Sequence, residues 1–204
     1  MGSLCDSLIK KDISPNCDDP ITPGYEAEGV IINRRDIDFA ASVFDETNKN
    51  VIKTLVLKKS KKAYRIVVPG KTPFTGTKTA LAVGTYNNTF TNDLSFVVLD
   101  DGPDVCSEII DGITNGEFVV ILERKYKGLQ NAEHKGNKAF KVYGWYQGLM
   151  ANTMENDSYS EETDGGWAVA LQETKSPKSA LFLFNTDYDT TKAQVETLVS
   201  TPAA

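Results

Sequence analysis

"EFVVILERKY", residues 117–126, carries an apolar run from Phe118 to Leu122 with no polar residue inside it. A strand half-exposed to water alternates apolar and polar side chains, so an uninterrupted run of this length is consistent with burial on both faces. The segments on either side of it read as short strands. "EGVIINRRDIDF" (28–39) opens on a β-branched run at Val30 to Ile32, and "NVIKTLVLK" (50–58) keeps Val51, Leu55 and Leu57 among β-favouring neighbours. "KKAYRIVVPG" (61–70) follows and stops at Pro69-Gly70, so residues 51–68 read as a hairpin with a lysine-rich, solvated turn. "TALAVGTYNNTF" (79–90) and "LSFVVLDDG" (94–102) give two further strands separated by "TND".

The period changes immediately before the opening run. In "GPDVCSEIIDGITNGE" (102–117), Val105, Ile109, Ile110 and Ile113 recur at helical spacing. Asp104 after Pro103 stands where an N-cap belongs, and Gly116 where a helix ends. One short helix, about 104–115, is therefore expected at the side of a β-rich chain. After the run, "AFKVYGWYQ" (139–147) sets Phe140, Val142, Gly144 and Tyr146 against Lys141, Tyr143, Trp145 and Gln147, an apolar face against an aromatic one. "GGWAVALQET" (165–174) sets Trp167, Val169 and Leu171 against Ala168, Ala170 and Gln172. A strand apolar on both faces should meet its own core on one side and either core or another subunit on the other. Between these two segments lies a carboxylate-rich stretch that reads as the tip of a long hairpin. "SPKSALFLFN" (176–185) adds a strand, and Ala193, Val195, Leu198 and Val199 are spaced to face inward from a C-terminal helix.

The expected fold is thus mainly β: a sandwich or barrel of antiparallel strands with one short flanking helix and a C-terminal helix. It divides into an extended N-terminal arm (1–27), a β domain (28–188) and a C-terminal helix or tail (189–204). The arm carries Pro15, Pro20 and Pro23 and little periodicity. It lies either across a neighbouring molecule or over its own domain.

Composition excludes several classes of function. The chain has 204 residues, 40% apolar and 25% charged, with 22 basic against 28 acidic side chains and a net charge of −6. That size and balance suit one soluble core, and no excess of cations is present to neutralise phosphates, so tight binding to DNA or anionic lipid is not expected. No apolar stretch approaches the roughly 20 residues that span a bilayer, and the N-terminus lacks the order of a secretory signal, which points to folding in a cytoplasm. Cys5, Cys17 and Cys106 are odd in number, which rules out a complete disulfide framework; Cys5 and Cys17 either pair or remain thiols. With three cysteines and the single His134, a four-ligand zinc site is not expected.

No cofactor is expected either, because the chain has no phosphate-cradling glycine loop and no nucleophile turn. Clustered carboxylates remain: Glu155, Asp157, Glu161, Glu162 and Asp164. A glycosidase needs two carboxyl groups in an enclosure, and a hydrated tip rich in Asn and Ser does not provide one. Their spacing also departs from a calcium loop. Tyr143, Trp145, Tyr146 and Trp167 suit a carbohydrate-binding face as an alternative to core or interface packing.

Taken in order, the arm, the run of strands, the one helix, "AFKVYGWYQGL", the acidic loop, "GGWAVALQET" and "PKSALFLF" resemble virion structural proteins of tailed bacteriophages of Bacteroidota. Within that group the major tail (tail tube) proteins are most similar, over residues 25–185. The resemblance implies a non-enzymatic subunit located in the virion tail and made in the host bacterial cytoplasm. It implies homo-oligomeric rings, hexamers being one candidate, that stack with other tail or head proteins and conduct the genome DNA without holding it. Strands would pair edge to edge between subunits. By length and composition "VVPGKTPFTGTKT" (67–79) is the first candidate for an inter-ring loop and the proline-rich arm the second, and Lys71, Thr72, Pro73 and Phe74, together with Trp145, Tyr146 and Trp167, are the candidate subunit-interface residues. The alternatives are a tail-ring or collar protein, a head decoration or capsid protein, and a carbohydrate-binding adhesin.

Overall fold

The computed structural model describes residues 9–15, 17, 20–129 and 135–200. His134 and Cys5, and with Cys5 its pairing to Cys17, lie outside the described residues. The described strands are β1 (Tyr25–Asn33), β2 (Val43–Phe44), β3 (Val51–Thr54), β4 (Tyr64–Val67), β5 (Lys78–Ala82), β6 (Thr89–Val98), β7 (Phe118–Arg124), β8 (Phe140–Tyr143), β9 (Met150–Asn156), β10 (Trp167–Ser176) and β11 (Leu181–Leu183). They form a seven-stranded sheet in the order β2-β3-β11-β8-β7-β1-β4 and a four-stranded sheet in the order β5-β6-β10-β9. All neighbours are antiparallel except β11 and β3. A C-terminal helix spans Tyr188–Val199, and a flanking helix runs through Pro103–Val105, Cys106–Ile110 and Asp111–Thr114. The chain is mainly β, as its sequence leads one to expect.

Strand β7 explains the layering. Its side chains alternate between two cores: Val119 and Ile121 join Val30, Ile32, Val142 and Leu183 beneath Val195 and Leu198 of the C-terminal helix. Phe118, Val120 and Leu122 join Leu94, Phe96, Val169 and Leu171 between the two sheets, where Ile110 and Ile113 of the flanking helix close one side. The molecule therefore has three layers, with the large sheet in the middle.

Five local expectations are corrected. Residues 51–68 do not form a hairpin, because β3 pairs with β2 and β11 while β4 pairs with β1 across the sheet. The connection between them is anchored rather than solvated throughout: Leu55 and Ala63 are buried, and the Ala63 amide donates to Leu198 O at 2.7 Å. The triplet Thr91–Asp93 lies inside β6 instead of separating two strands. Asn92 fits there because its amide donates to Glu173 and its carbonyl accepts from Thr79 Oγ1.

Gly102, not Asp104, is the cap of the flanking helix, and Asp104 falls in the first turn. A π turn at Cys106–Ile110 alters the helical register, so Ile110 and Ile113 are buried while Ile109 is exposed. In the C-terminal helix, Val195 and Leu198 point inward with Thr191, and Ala193 is exposed. Its N-cap is Asp187, whose carboxylate accepts from the Thr190 amide at 2.7 Å.

The fifth correction concerns β8, which ends at Tyr143. Gly144 takes φ +81°, and a Cβ there would stand 2.3 Å from Phe118 O, so only glycine allows the chain to turn this close to β7. Trp145 and Tyr146 consequently belong to a turn rather than to a strand face.

That turn is held by one buried side chain. Glu173, 1% exposed on the inner face of β10, accepts from Gly144 N at 3.2 Å and Asn92 Nδ2 at 2.8 Å through Oε2. Its Oε1 accepts from Tyr146 N at 3.0 Å and Gln147 N at 2.9 Å. The carboxylate thereby ties the small sheet to the turn that leaves the large one. Glu173→Ala would leave two buried and two partly buried donors without their acceptor, and charge-assisted bonds contribute roughly 1.5–3 kcal/mol each before relaxation. The expected loss is about 3 kcal/mol or more in urea denaturation, with Glu173→Gln intermediate because its NH2 must face a donor.

Candidate interaction surface

The seven candidate interface residues are dispersed. Residues 69–77 cross from β4 at the edge of the large sheet to β5 at the edge of the small one. Lys71 and Thr72 are exposed, whereas Pro73 and Phe74 are buried. Phe74, 3% exposed at φ +58°, sits edge-on to Tyr25 with centroids 6.5 Å apart and plugs the end of the inter-sheet core. Trp145, 5% exposed, packs edge-on between Phe39 at 5.0 Å and Phe44 at 5.7 Å. Arg34 locks the backbone beside it, donating from Nη2 to Tyr146 O at 2.8 Å while its guanidinium covers Phe39. Tyr146 is half-buried, and burial and the charge of Glu173 raise its phenol pKa. Trp167 is half-buried and donates from Nε1 to Asp101 Oδ1 at 2.8 Å. Phe74 and Trp145 are thus occupied by their own chain, and Lys71 and Thr72 keep free surface.

Lys71, Thr72 and Phe74 do share a concavity of 620 Å³, which also takes in Ser95, Val97, Thr153, Glu155, Ala168 and Ala170. Trp145, Tyr146 and Trp167 are not part of it. The register places Ala168 opposite Val97 and Glu155, and Ala170 opposite Ser95 and Thr153. This part of the outer face of the small sheet is therefore built mostly of short side chains, and among the described residues no helix covers it as one covers the outer face of the large sheet.

Charge is concentrated on the opposite layer, where the acids and bases are paired. Lys127 Nζ lies 2.6 Å from Glu26 and 3.2 Å from Glu123, and Tyr188 OH donates to Glu123 Oε1 at 2.6 Å. Lys192 Nζ lies 3.7 Å from Glu123, and Arg65 bridges Glu28 and Glu196. These contacts line a 360 Å³ cleft and pin the C-terminal helix to β1 and β7. The carboxylates Glu155, Asp157, Glu161, Glu162 and Asp164 are exposed at or beside the tip of the β9–β10 hairpin. Among the described residues, no three His, Cys, Asp or Glu side chains come together to hold a metal, and no helix is long and apolar enough to cross a membrane. Cys17 is exposed and has no disulfide partner among the described residues, and burial followed by the charge of Asp101 raises the pKa of Cys106.

The surfaces that sequence reasoning missed are the open edges. Strand β4 pairs only with β1, and β5 covers β6 only over 89–93, so Val97 and Leu99 run on past its end. Tyr64, Val67, Leu99 and Ile109 stand exposed around this opening and share a groove of 470 Å³ with Ile31, Ile66 and Ile113. The alternation of "YRIV" carried the one available signal, with Ile66 buried between exposed neighbours. No protein-family model, no curated protein and no solved structure matches the chain.

One buried cation gives a pH signature. Lys141 Nζ lies 4.8 Å from the ring centroid of Tyr143, whose hydroxyl meets Tyr25 OH at 2.5 Å. Burial, then the Arg124 charge, lowers the lysine pKa to about 8. The unfolded chain keeps its proton to higher pH, so it binds more protons than the folded chain above pH 8. Stability contributed at this site therefore rises from about pH 8 toward the ordinary lysine range. Tyr25 and Tyr143, raised by burial, work in the opposite direction only above the ordinary phenol range. Lys141→Met should raise the denaturation midpoint at pH 7 and flatten its rise between pH 8 and 9.5.

Proposed function

We propose that this chain is a repeated structural subunit of a tailed-phage virion, of the tail tube type, which assembles into stacked rings that conduct the genome. The observation that carries the reading is the pair of open strand edges, β4 and the end of β6, with exposed Tyr64, Val67 and Leu99 beside them. Unpaired edges beside apolar side chains are templates for strand pairing with another chain, and proteins that stay monomeric blunt them with charge, proline or cover. The small-residue face of the four-stranded sheet offers a second surface on which a subunit can lie closely. A sandwich with one helix at its side agrees with what the resemblance implies, and the excess of acids over bases suits a wall that DNA slides past rather than grips. The reading assigns no catalytic role: the acidic tip is exposed, and the acids and bases along the charged cleft are paired with one another.

A different virion position, in a collar, head decoration or capsid, draws on the same edges. The carbohydrate-binding alternative draws on aromatic faces, and Tyr143 and Trp145 have theirs inside the molecule. Sedimentation and negative-stain imaging of the purified chain across concentration and salt are expected to show rings or short tubes that do not retain duplex DNA at physiological ionic strength. A monomer under every condition overturns the reading.

A further inference from the structure

The inner face of the large sheet ends in a group of hydrogen-bond donors that carries two positive charges. Tyr25 stands opposite Arg124 in the register of β1 with β7. Lys141 stands opposite Leu122 in the register of β7 with β8, which makes it the diagonal neighbour of Arg124 on the same face. Tyr143, two residues on from Lys141, shares that face, and its hydroxyl meets that of Tyr25 at 2.5 Å. Tyr143 belongs to the inter-sheet core, whereas Tyr25, Arg124 and Lys141 are each half-buried, so the group sits at the margin of that core within reach of solvent.

Among the described residues neither cation has an acidic partner. Their charged ends lie against aromatic rings, Arg124 over Tyr126 at 5.5 Å and Lys141 over Tyr143 at 4.8 Å. The carboxylates nearest in sequence, Glu26 and Glu123, pair with Lys127 along the cleft under the C-terminal helix. Burial and the charge of Arg124 act on the Lys141 ammonium, and no carboxylate offsets them. Arg124 is also the cation that acts on both phenols. Two like charges held together in a partly desolvated place cost stability, and an anion between them reverses the sign. The phenols add a donor, because their mutual hydrogen bond uses one of two hydroxyl protons and leaves the other for an acceptor.

We propose that Arg124, Lys141, Tyr25 and Tyr143 form a binding site for a small doubly charged oxyanion of the sulfate or phosphate class, free or at the end of a phosphate ester. Two cations match its charge. The planar guanidinium fork suits two of its oxygens, and the ammonium and the spare phenol proton suit the others. A single site of this kind neutralises one phosphate, so the chain as a whole remains a poor ligand for nucleic acid. The site is independent of assembly and stands whether or not the chain forms rings.

Inorganic sulfate is the first probe, because its charge does not change across the pH range. It is titrated into the full-length chain at pH 7 against chloride of equal ionic strength, by calorimetry and by the Lys141 Nζ resonance of isotope-labelled protein. Sulfate stabilises folded proteins generally through exclusion from their surfaces, so the readout is the lysine rather than the melting temperature. Saturable binding is expected, and since a bound anion favours the charged ammonium, saturating sulfate should raise the Lys141 titration midpoint by about one pH unit. By linkage the affinity should then fall about tenfold between pH 7 and pH 10. Lys141→Met, which the loss of an unpaired cation should leave well folded, and Arg124→Gln should each weaken binding at least tenfold, and Tyr25→Phe by less. Inorganic phosphate and glycerol phosphate, compared in the same way, separate the two sources: binding of the first alone assigns a free anion, and binding of both assigns an ester end group. A Lys141 midpoint that sulfate does not move, or binding that survives in both Lys141→Met and Arg124→Gln, overturns the proposal.

Discussion

Burying Phe118 to Leu122 on both sides of one strand is the constraint from which the architecture follows. Each large apolar side chain fully withdrawn from water contributes about 1.5–3 kcal/mol, so the run is worth roughly 7–15 kcal/mol, comparable with the net stability of a whole domain. A single sheet in water cannot supply that. The four-stranded sheet must cover one face of β7 and the C-terminal helix the other, and the chain order follows suit, with β10 placed to complete the sandwich before the helix closes the opposite layer.

Two polar arrangements keep those layers in register. Glu173 reaches from the small sheet to the turn after β8 and satisfies backbone donors that the turn leaves unpaired. On the outer side, Glu123 collects Lys127, Lys192 and Tyr188, so the C-terminal helix is fixed in orientation as well as in contact. In both arrangements the carboxylate is engaged by several partners of its own chain. Among the described residues, the edge of β4, the end of β6 and the outer face of the small sheet are left without such partners, and the assembly proposed above draws on them.

Where sequence reading went astray, the reason was non-local pairing. The fragments 51–54 and 64–67 look like a hairpin because both are β-favouring and a lysine-rich link joins them, yet their partners arrive from β2, β11 and β1. Trp145 and Tyr146 continue the alternation of β8 in the sequence, but a glycine whose backbone must approach Phe118 O turns the chain out of the strand. Phe74 carried the composition of an exposed loop and became a plug in the core, because the loop that holds it crosses from one sheet to the other. The exposed acidic tip leading into β10 was legible, but the near arm of its hairpin was not: it is β9, whereas 139–147 supplies β8, which pairs with β7 and β11 in the other sheet.

The amino-acid order alone determined the β-rich class, the two short helices, the double-faced strand at 118–122 and the unconstrained, proline-broken arm, because each rests on periodicity or on backbone chemistry within a few residues. Only the tertiary structure decided which strands are neighbours, that Glu173 is buried, that Trp145 and Phe74 face inward, and that β4 is left open beside an apolar groove. Those are properties of contacts between segments far apart in the chain. A local pattern states that a side chain must be covered, and the packing alone states by what.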